Sequence, residues 1–307
     1  MLSHKTIAIM MINWNGSQDT LECLYSLENI NYPRNQISIW IADNGSTDDS
    51  LDYLLPQVTK MQKSEWQSVN LLKLDRNYGS PGAFNRIYGN IPEDTDILIR
   101  LDNDVILEPQ SILQVCETFD QDVDIAILGV QSFLYDSPTV KCSGAWYINW
   151  SLNTQYVTYP EQMVECDSIV GNFMAIRNST IQKLKYLFDE RLFITFDDCE
   201  LCIRINKYLN QKVVFHPHII CYHKCQSSTS KVKDFVSYCH HRNSILIFKQ
   251  YAPRDIRLLL GMLAILLRAV KAILLADKFK LYGYLDGILS QFDRQYQWEK
   301  RVSKKWS

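Results

Sequence analysis

The chain has no excess of basic charge. Its 32 Lys and Arg stand against 34 Asp and Glu, a net of −2. With no basic–aromatic stripe and no recognition-helix signature, nucleic acid is not an expected partner. No apolar run is long enough to span a bilayer: Leu258–Leu267 is the most apolar stretch, and Arg268 and Lys271 interrupt its extension. There is no internal repeat and no low-complexity tract. A Gly-x-Gly-x-x-Gly fingerprint and a Walker loop are both missing, which weighs against dinucleotide and NTPase readings. The nine cysteines are odd in number and scattered, so they predict no disulfide framework but reduced thiols in a cytosolic protein. Thr6–Ile12 is short and runs into Asn13-Trp14-Asn15-Gly16 without a small-residue cleavage site. It is expected to be a first strand, not a signal peptide.

What is present is ordinary globular composition, 47% hydrophobic and 21% charged over 307 residues. That suffices for one large α/β domain with an appendage. Through roughly the first 130 residues, short β-rich runs alternate with helical spacing, the pattern of a parallel sheet covered by helices. Strands are predicted at Thr6–Asn13, Gln36–Ala42, Val69–Leu74, Ile97–Leu101 and Ile125–Val130. Helices are predicted at Asp19–Leu27, Thr47–Leu55 and Ala83–Tyr88, then Glu200–Tyr208 and Tyr238–Tyr251. The segment around Trp146–Tyr159 reads as irregular and aromatic-rich.

The run Ile97-Leu98-Ile99-Arg100-Leu101-Asp102-Asn103-Asp104 is the most informative. A buried strand delivers two carboxylates to the sheet edge, where open α/β sheets bind ligands. Two such oxygens can hold a hard divalent cation that keeps sites for water and phosphate. Asp43 also follows a strand, ahead of Asn44-Gly45-Ser46. It either accepts from a nucleobase or ribose or closes an Asx turn. Arg76–Gly82 is rich in small residues, so its backbone and Asn77 can approach a nucleotide or simply connect strand to helix. Phe188-Asp189-Glu190 and Phe196-Asp197-Asp198-Cys199-Glu200 interleave acids with large apolar groups. Desolvation and like-charge neighbours make such carboxylates candidate general bases, with Asp198 and Asp197 foremost. Cys199-x-x-Cys202 and Cys221-x-x-x-Cys225, with His216, His218 and His223, have ribbon-like spacing. Cys199 and Cys202 fall within a predicted helix, however, so structural zinc is not expected.

Taken in order, these segments resemble glycosyltransferase family 2, the nucleotide-sugar transferases of GT-A fold, and within it the bacterial rhamnosyltransferase-type branch. The matching pieces are Asn13–Gly16, Ala42–Asp48, Asn77-Tyr78-Gly79 with Gly82 and Asn85, Leu101–Val105, and Gly171-Asn172-Phe173-Met174. Phe188-Asp189-Glu190, Phe196-Asp197-Asp198, His223 and Arg242-Asn243 complete the set. The resemblance implies a GT-A sandwich with a mostly parallel central sheet and a donor site drawn from Asn13, Asn15, Asp43, Asn77, Gly79, Asn85 and Asp102. It implies Mg2+ or Mn2+ on the diphosphate, held by Asp102 and Asp104. His223 contacts metal or diphosphate, or is a neutral buried histidine. Asp198 matches the family's catalytic base, and Asp197 stands where Glu is common. Phe84 and Ser80-Pro81 depart from the usual pattern, which bears on the donor sugar. The Gln-x-x-Arg-Trp motif of processive synthases is absent, so a single inverting transfer is expected, to a glycan or lipid-linked acceptor. A sugar-phosphate nucleotidyltransferase, or a non-catalytic scaffold of the same fold, are the competing readings.

From Pro253 onward the character changes. Eleven Lys/Arg and five Asp/Glu give residues 253–307 a net of +6. A catalytic domain is therefore expected over 1–252, followed by a basic amphipathic helical segment. That segment either lies on an anionic membrane surface or packs on the domain. The resulting expectation is a cytoplasmic protein, peripheral at the inner face of the membrane.

Overall fold

The computed structural model describes residues 4–225, 232–292 and 295. Strands β1 (Ile7–Asn13), β2 (Ile37–Asp43), β3 (Ser68–Lys73) and β4 (Ile97–Leu101) alternate with helices α1 (Ser17–Leu27), α2 (Ser50–Gln62) and α3 (Gly79–Tyr88). These four strands are parallel, in the order β4-β1-β2-β3. Both faces of β1 are buried. Ile7, Ile9 and Met11 point into one apolar layer and Ala8 and Met10 into the other, the period-two consequence of helices on both sides.

Beyond β4 the sheet stops being uniformly parallel. Next come β5 (Val105–Leu107), α4 (Ser111–Gln121), β6 (Ile125–Leu134), β7 (Ser137–Lys141), β8 (Ala145–Asn149), β9 (Thr154–Thr158), β10 (Val164–Glu165), β11 (Phe173–Arg177), the short α5 (Asn178–Ile181), α6 (Asp197–Leu209) and β12 (Lys212–His223). β11 lies antiparallel between β4 and β6, while β12 runs parallel to β6. The stretch read as irregular contains a hairpin, β8–β9, with the Tyr147 and Tyr156 rings stacked 5.4 Å apart. Its aromatics pair across strands and so carry no helical spacing.

All five predicted helices start at other residues than expected, and three of the differences bear on the site. α2 begins at Ser50, three residues later than predicted, because Asp48 accepts from the Ser50 N–H and closes a turn first. α3 begins earlier and takes in Ser80-Pro81-Gly82. First-turn N–H groups have no intrahelical partner, so proline costs nothing there. α6 begins at Asp197, so both candidate acids sit in its first turn.

The chain closes with α7 (Lys233–Tyr251), α8 (Ile256–Leu274) and α9 (Lys278–Leu289). Gly283 and Gly287 let α9 lie against the α7 backbone, where a Cβ would meet Tyr238 O at 2.6 Å and Arg242 O at 2.9 Å. α8 is amphipathic in an inverted sense. Its inward face is Gly261, Ile265, Ala269 and Ala272, whereas Leu259, Leu263, Leu266, Leu267, Ile273 and Leu274 are exposed. Among the described residues no helix is long and apolar enough to cross a membrane.

Candidate active site

The carboxyl ends of β1, β2 and β4 reach the same edge, and β1 is where the strand order reverses. Asn13 and Asp43 are register partners there. The Asn13 amide donates to Asp43 Oδ1 at 2.9 Å, and Ser46 Oγ donates to the same oxygen at 2.5 Å. Asp43 Oδ2 has only the Ser46 N–H, at 3.3 Å. The Asx-type contact is thus made, and it aims the carboxylate rather than consuming it. Asn15, with φ of 51°, ties this loop to the next through Thr47 N–H at 2.8 Å. Asn44 in turn donates to Asn77 Oδ1 and Gly79 O and accepts from Tyr78 N–H. Gly79 has φ of 71°, and a Cβ there would meet Phe193 O at 2.2 Å, so only glycine fits. Asn85 stands apart: its amide bonds the Phe188 backbone in both directions and Glu190, which fixes the loop behind the site rather than facing the edge.

Asp102 and Asp104 lie in the turn after β4. β5 then pairs antiparallel with the end of β12, setting His223 opposite Val105. His223 Nε2 consequently sits 2.9 Å from Asp104 Oδ1, and one ligand atom each from Asp102, Asp104 and His223 lie within 4.8 Å of one another. Desolvation pushes Asp102 up to about 6, against the pull of Arg100 and His223. Burial opposes the charged form of His223, but the Asp104 hydrogen bond, a Cys142 contact and the nearby carboxylates raise it to about 11. Lys224 does not neutralise the cluster. Its ammonium is held by Asp19 at 2.8 Å and Glu22 at 2.7 Å. Without a metal, the charged imidazole balances Asp104; two carboxylates and an imidazole this close, with no arginine or lysine among the described residues bonded to the acids, fit a hard divalent ion.

Asp197 and Asp198 are adjacent in sequence and opposite in circumstance. Arg100, the one charged residue inside β4, donates to Asp197 Oδ2 at 2.8 Å, and Ser80 Oγ donates to the same atom at 2.9 Å. The Arg100 guanidinium packs against both the Phe84 and Phe188 rings, 4.9 and 5.1 Å from their centroids. Gly171 allows this, since a Cβ there would meet Arg100 Cζ at 2.6 Å. Asp198 is bonded to no cation among the described residues, though the Arg100 charge acts on it from a distance; it accepts from Gly171 N–H at 2.9 Å and Cys199 N–H at 2.7 Å. Desolvation and the Asp197 charge push it above the usual carboxylate range. It opens on a small pocket walled by Trp146, Gln155, Phe196 and His240.

The loop that presents Asp197 and Asp198 is held open by strain. Phe193, Thr195 and Phe196 have φ of 59°, 65° and 66°. Such residues cost about 1–3 kcal/mol each and persist only where neighbours overdetermine them. Here the neighbours are Arg242 and Asn243 of α7. The Asn243 amide donates to Leu192, Ile194 and Thr195 carbonyls at 2.8–3.0 Å, and Arg242 Nη2 donates to Arg191 O at 2.9 Å and Leu192 O at 3.2 Å. Sequence reasoning placed Arg242-Asn243 only by resemblance and missed Arg100. The signal for Arg100 was available: a lone arginine in an otherwise apolar buried strand needs a partner. The zinc-ribbon pattern does not form, for Cys199 and Cys202 are buried in α6.

Comparison with known proteins matches this arrangement. The model of glycosyl transferase family 2 matches residues 8–184, more than half of the chain. No curated protein matches it in sequence. Among solved structures, the mannosyltransferase PcManGT from Pyrobaculum calidifontis, in complex with GDP-Man and Mn2+, is similar with a TM-score of 0.62 at 13% identity. That likeness covers 99% of this chain and 88% of the other. GalNAc-T7 with UDP, GalNAc and Mn2+ gives a TM-score of 0.61 at 15% identity over 81% of this chain and 48% of that one. TarS of S. aureus gives 0.55 at 15% identity over 81% and 40%. The chain thus spans less than half the length of the last two, and at these identities the likeness is one of fold. Together the family match and the shared GT-A fold set aside the nucleotidyltransferase reading, and the chain belongs to glycosyl transferase family 2.

Proposed function

We propose that the protein is an inverting glycosyltransferase that moves a sugar from a nucleotide-diphospho donor to a hydroxyl of a glycan or lipid-linked saccharide. One observation carries this reading. Two acidic clusters are electrostatically unlike: Asp102, Asp104 and His223 bring their ligand atoms within 4.8 Å of one another, while Asp198 lines a pocket and is bonded to no cation among the described residues. In this reading Asp43, aimed by Asn13, reads the donor's base or ribose, with Asn15, Asn77 and Gly79 shaping the nucleotide loop. Asn85 is a positioning residue for that wall. Asp102, Asp104 and His223 would hold Mg2+ or Mn2+, which when bound offsets charge on the departing diphosphate.

The chain's own residues do the rest. Asp198, kept basic by desolvation and by Asp197, takes the acceptor hydroxyl's proton as that oxygen attacks the anomeric carbon. The carbon–oxygen bond to the diphosphate breaks on the opposite face, so the configuration inverts. Among the described residues lining the pocket, Asp198 is the sole carboxylate, which supports a base and offers no second one for a covalent intermediate. Trp146 and Phe196 give the pocket aromatic walls of the kind that stack on a sugar's C–H face.

Residues 1–252 would carry catalysis and 253–307 would bring the protein to an anionic membrane. The exposed leucines of α8, with Arg257 and Lys271 also exposed, support that division. Co-sedimentation with phosphatidylglycerol vesicles, lost in a Leu263→Asp, Leu267→Asp variant, checks it. The function itself is tested by a panel of nucleotide sugars, dTDP-rhamnose, UDP-hexoses and GDP-mannose among them, with Mn2+ or Mg2+. One donor is expected to raise the melting temperature and release nucleoside diphosphate in a metal-dependent way. No shift and no release with any donor would contradict the proposal.

A further inference from the structure

The second cluster of ligating side chains shares His223 with the first. Phe133 of β6 pairs with Tyr222 of β12 on one side and with Lys141 of β7 on the other. His223 then stands beside Leu134 and Cys142 beside Ser132, two residues apart along β6 and on its opposite flanks. Cys225 follows β12 by two residues, with φ of 54° turning it back. One ligand atom each of Cys142, His223 and Cys225 lie within 4.8 Å of one another, and His223 Nδ1 is 3.3 Å from Cys225 Sγ. A tetrahedral Zn2+ with Zn–S of about 2.3 Å and Zn–N of about 2.0 Å requires a sulfur–nitrogen separation of roughly 3.5 Å. Cys142 is half-buried and Cys225 exposed, whereas the other seven cysteines are buried, so this pair alone is open to solvent-borne metal.

The imidazole is oriented for that role. Nδ1 faces the thiols, while Nε2 faces Asp104 Oδ1 at 2.9 Å. A metal-bound histidine ordinarily donates its other ring N–H to a carboxylate, which fixes its tautomer. Asn172, 3.3 Å from Nδ1, would give up that contact but keep its hydrogen bond to Ser132 Oγ at 2.7 Å.

We propose that Cys142, His223 Nδ1 and Cys225 form a binding site for one soft cation of the zinc class, distinct from the carboxylate site and coupled to it through the two nitrogens of His223. Binding releases both thiol protons and the Nδ1 proton of the charged imidazole to solvent, and leaves a fourth position for water. It also commits His223 Nε2–H to Asp104, withdrawing that nitrogen from the hard-ion site. Zn2+ therefore opposes Mn2+-dependent turnover. This last consequence rests on the proposed function; the site itself does not.

The test is a Co2+ titration of the full chain, reading the thiolate-to-cobalt charge-transfer absorption in the near ultraviolet. Wild type and Asp102→Asn are both expected to give the band at one equivalent, and Zn2+ is expected to bleach it. Cys142→Ser and Cys225→Ser, checked for an unchanged melting transition, should each weaken binding by roughly 10- to 100-fold or more, at least what loss of an outer-shell partner costs. No charge-transfer band in wild type, or a band unchanged in both serine variants, overturns the proposal. In an activity arm, Zn2+ should inhibit the wild type and spare the Cys142→Ser, Cys225→Ser double variant. Equal inhibition of both would overturn the coupling. Absence of any transferase activity would count against the proposed function and leave the cobalt result standing.

Discussion

The strand-end acids and the helix-start acids are two pairs of carboxylates with contrasting surroundings. Asp102 and Asp104 are separated by one residue and converge with an imidazole, with no arginine or lysine bonded to either. Asp197 and Asp198 are neighbours, yet one is locked to Arg100 at 2.8 Å and the other is held only by backbone N–H groups. The first pair is balanced by an imidazole alone, which suits the cation-binding role proposed for it. The second pair is divided: Asp197 is a fixed anion whose charge, together with desolvation, keeps its neighbour basic. Identical side chains acquire different chemistry because a single guanidinium bonds one of them and acts on the other only at a distance.

Removing the base breaks the division most severely. Asp198→Asn is expected to lower kcat by about 10²–10⁴-fold, the usual worth of a general base. The wild-type rate should fall as pH drops, with the acid limb set above the ordinary carboxylate range, because Asp198 must be ionised and its pKa is raised. A pH–rate profile of wild type and variant checks both. Next in size is the cation that separates the pair. Arg100→Ala leaves Asp197 buried without its cation, and chemical denaturation should show a loss of about 3–5 kcal/mol.

The strand-end pair predicts a gain. The folded-state pKa of Asp102 lies above its ordinary value, so the metal-free protein binds an extra proton in the window from 3.8 to about 6 and loses stability as pH rises through it. Asp102→Asn removes that penalty. Without metal it should be the more stable protein above pH 6, by up to about 3 kcal/mol, and the advantage should vanish at low pH. Equal melting curves at neutral pH would show that the acid is not strained in place. The smallest effect concerns presentation of the divided pair. Asn243→Ala deletes three hydrogen bonds to the 192–195 backbone and should cost about 1–3 kcal/mol. It should lower kcat more than it weakens donor binding, which steady-state kinetics resolves.

Local pattern was enough to find β1 to β4 and the acids that end them, because strand, turn and carboxylate are contiguous in Ile97–Asp104. Asp43 was legible for the same reason. What escaped was set by strand order. Arg100 meets Asp197 across 97 positions, and β11 turns antiparallel between β4 and β6 without leaving a local mark. Cys142 reaches His223 only because β6 is flanked by both their strands. The spacing of Cys221 and Cys225 pointed toward metal chemistry but not to the right partners, since Cys221 is buried and faces Ser132. The inverted face of α8 was half visible: the apolar run was plain, but which side faces inward depends on where Gly261 meets the Phe248 ring.

The central claim is that binding and proton transfer reside in different acid pairs. It is tested most directly by calorimetric titration of UDP, GDP and dTDP, with and without Mn2+, into wild type, Asp104→Ala and Asp198→Asn. The account predicts metal-dependent binding of one nucleotide that is lost in Asp104→Ala and retained at wild-type affinity in Asp198→Asn, which nonetheless fails to turn over the matching sugar donor. Binding that survives in Asp104→Ala, or that falls equally in Asp198→Asn, would contradict it.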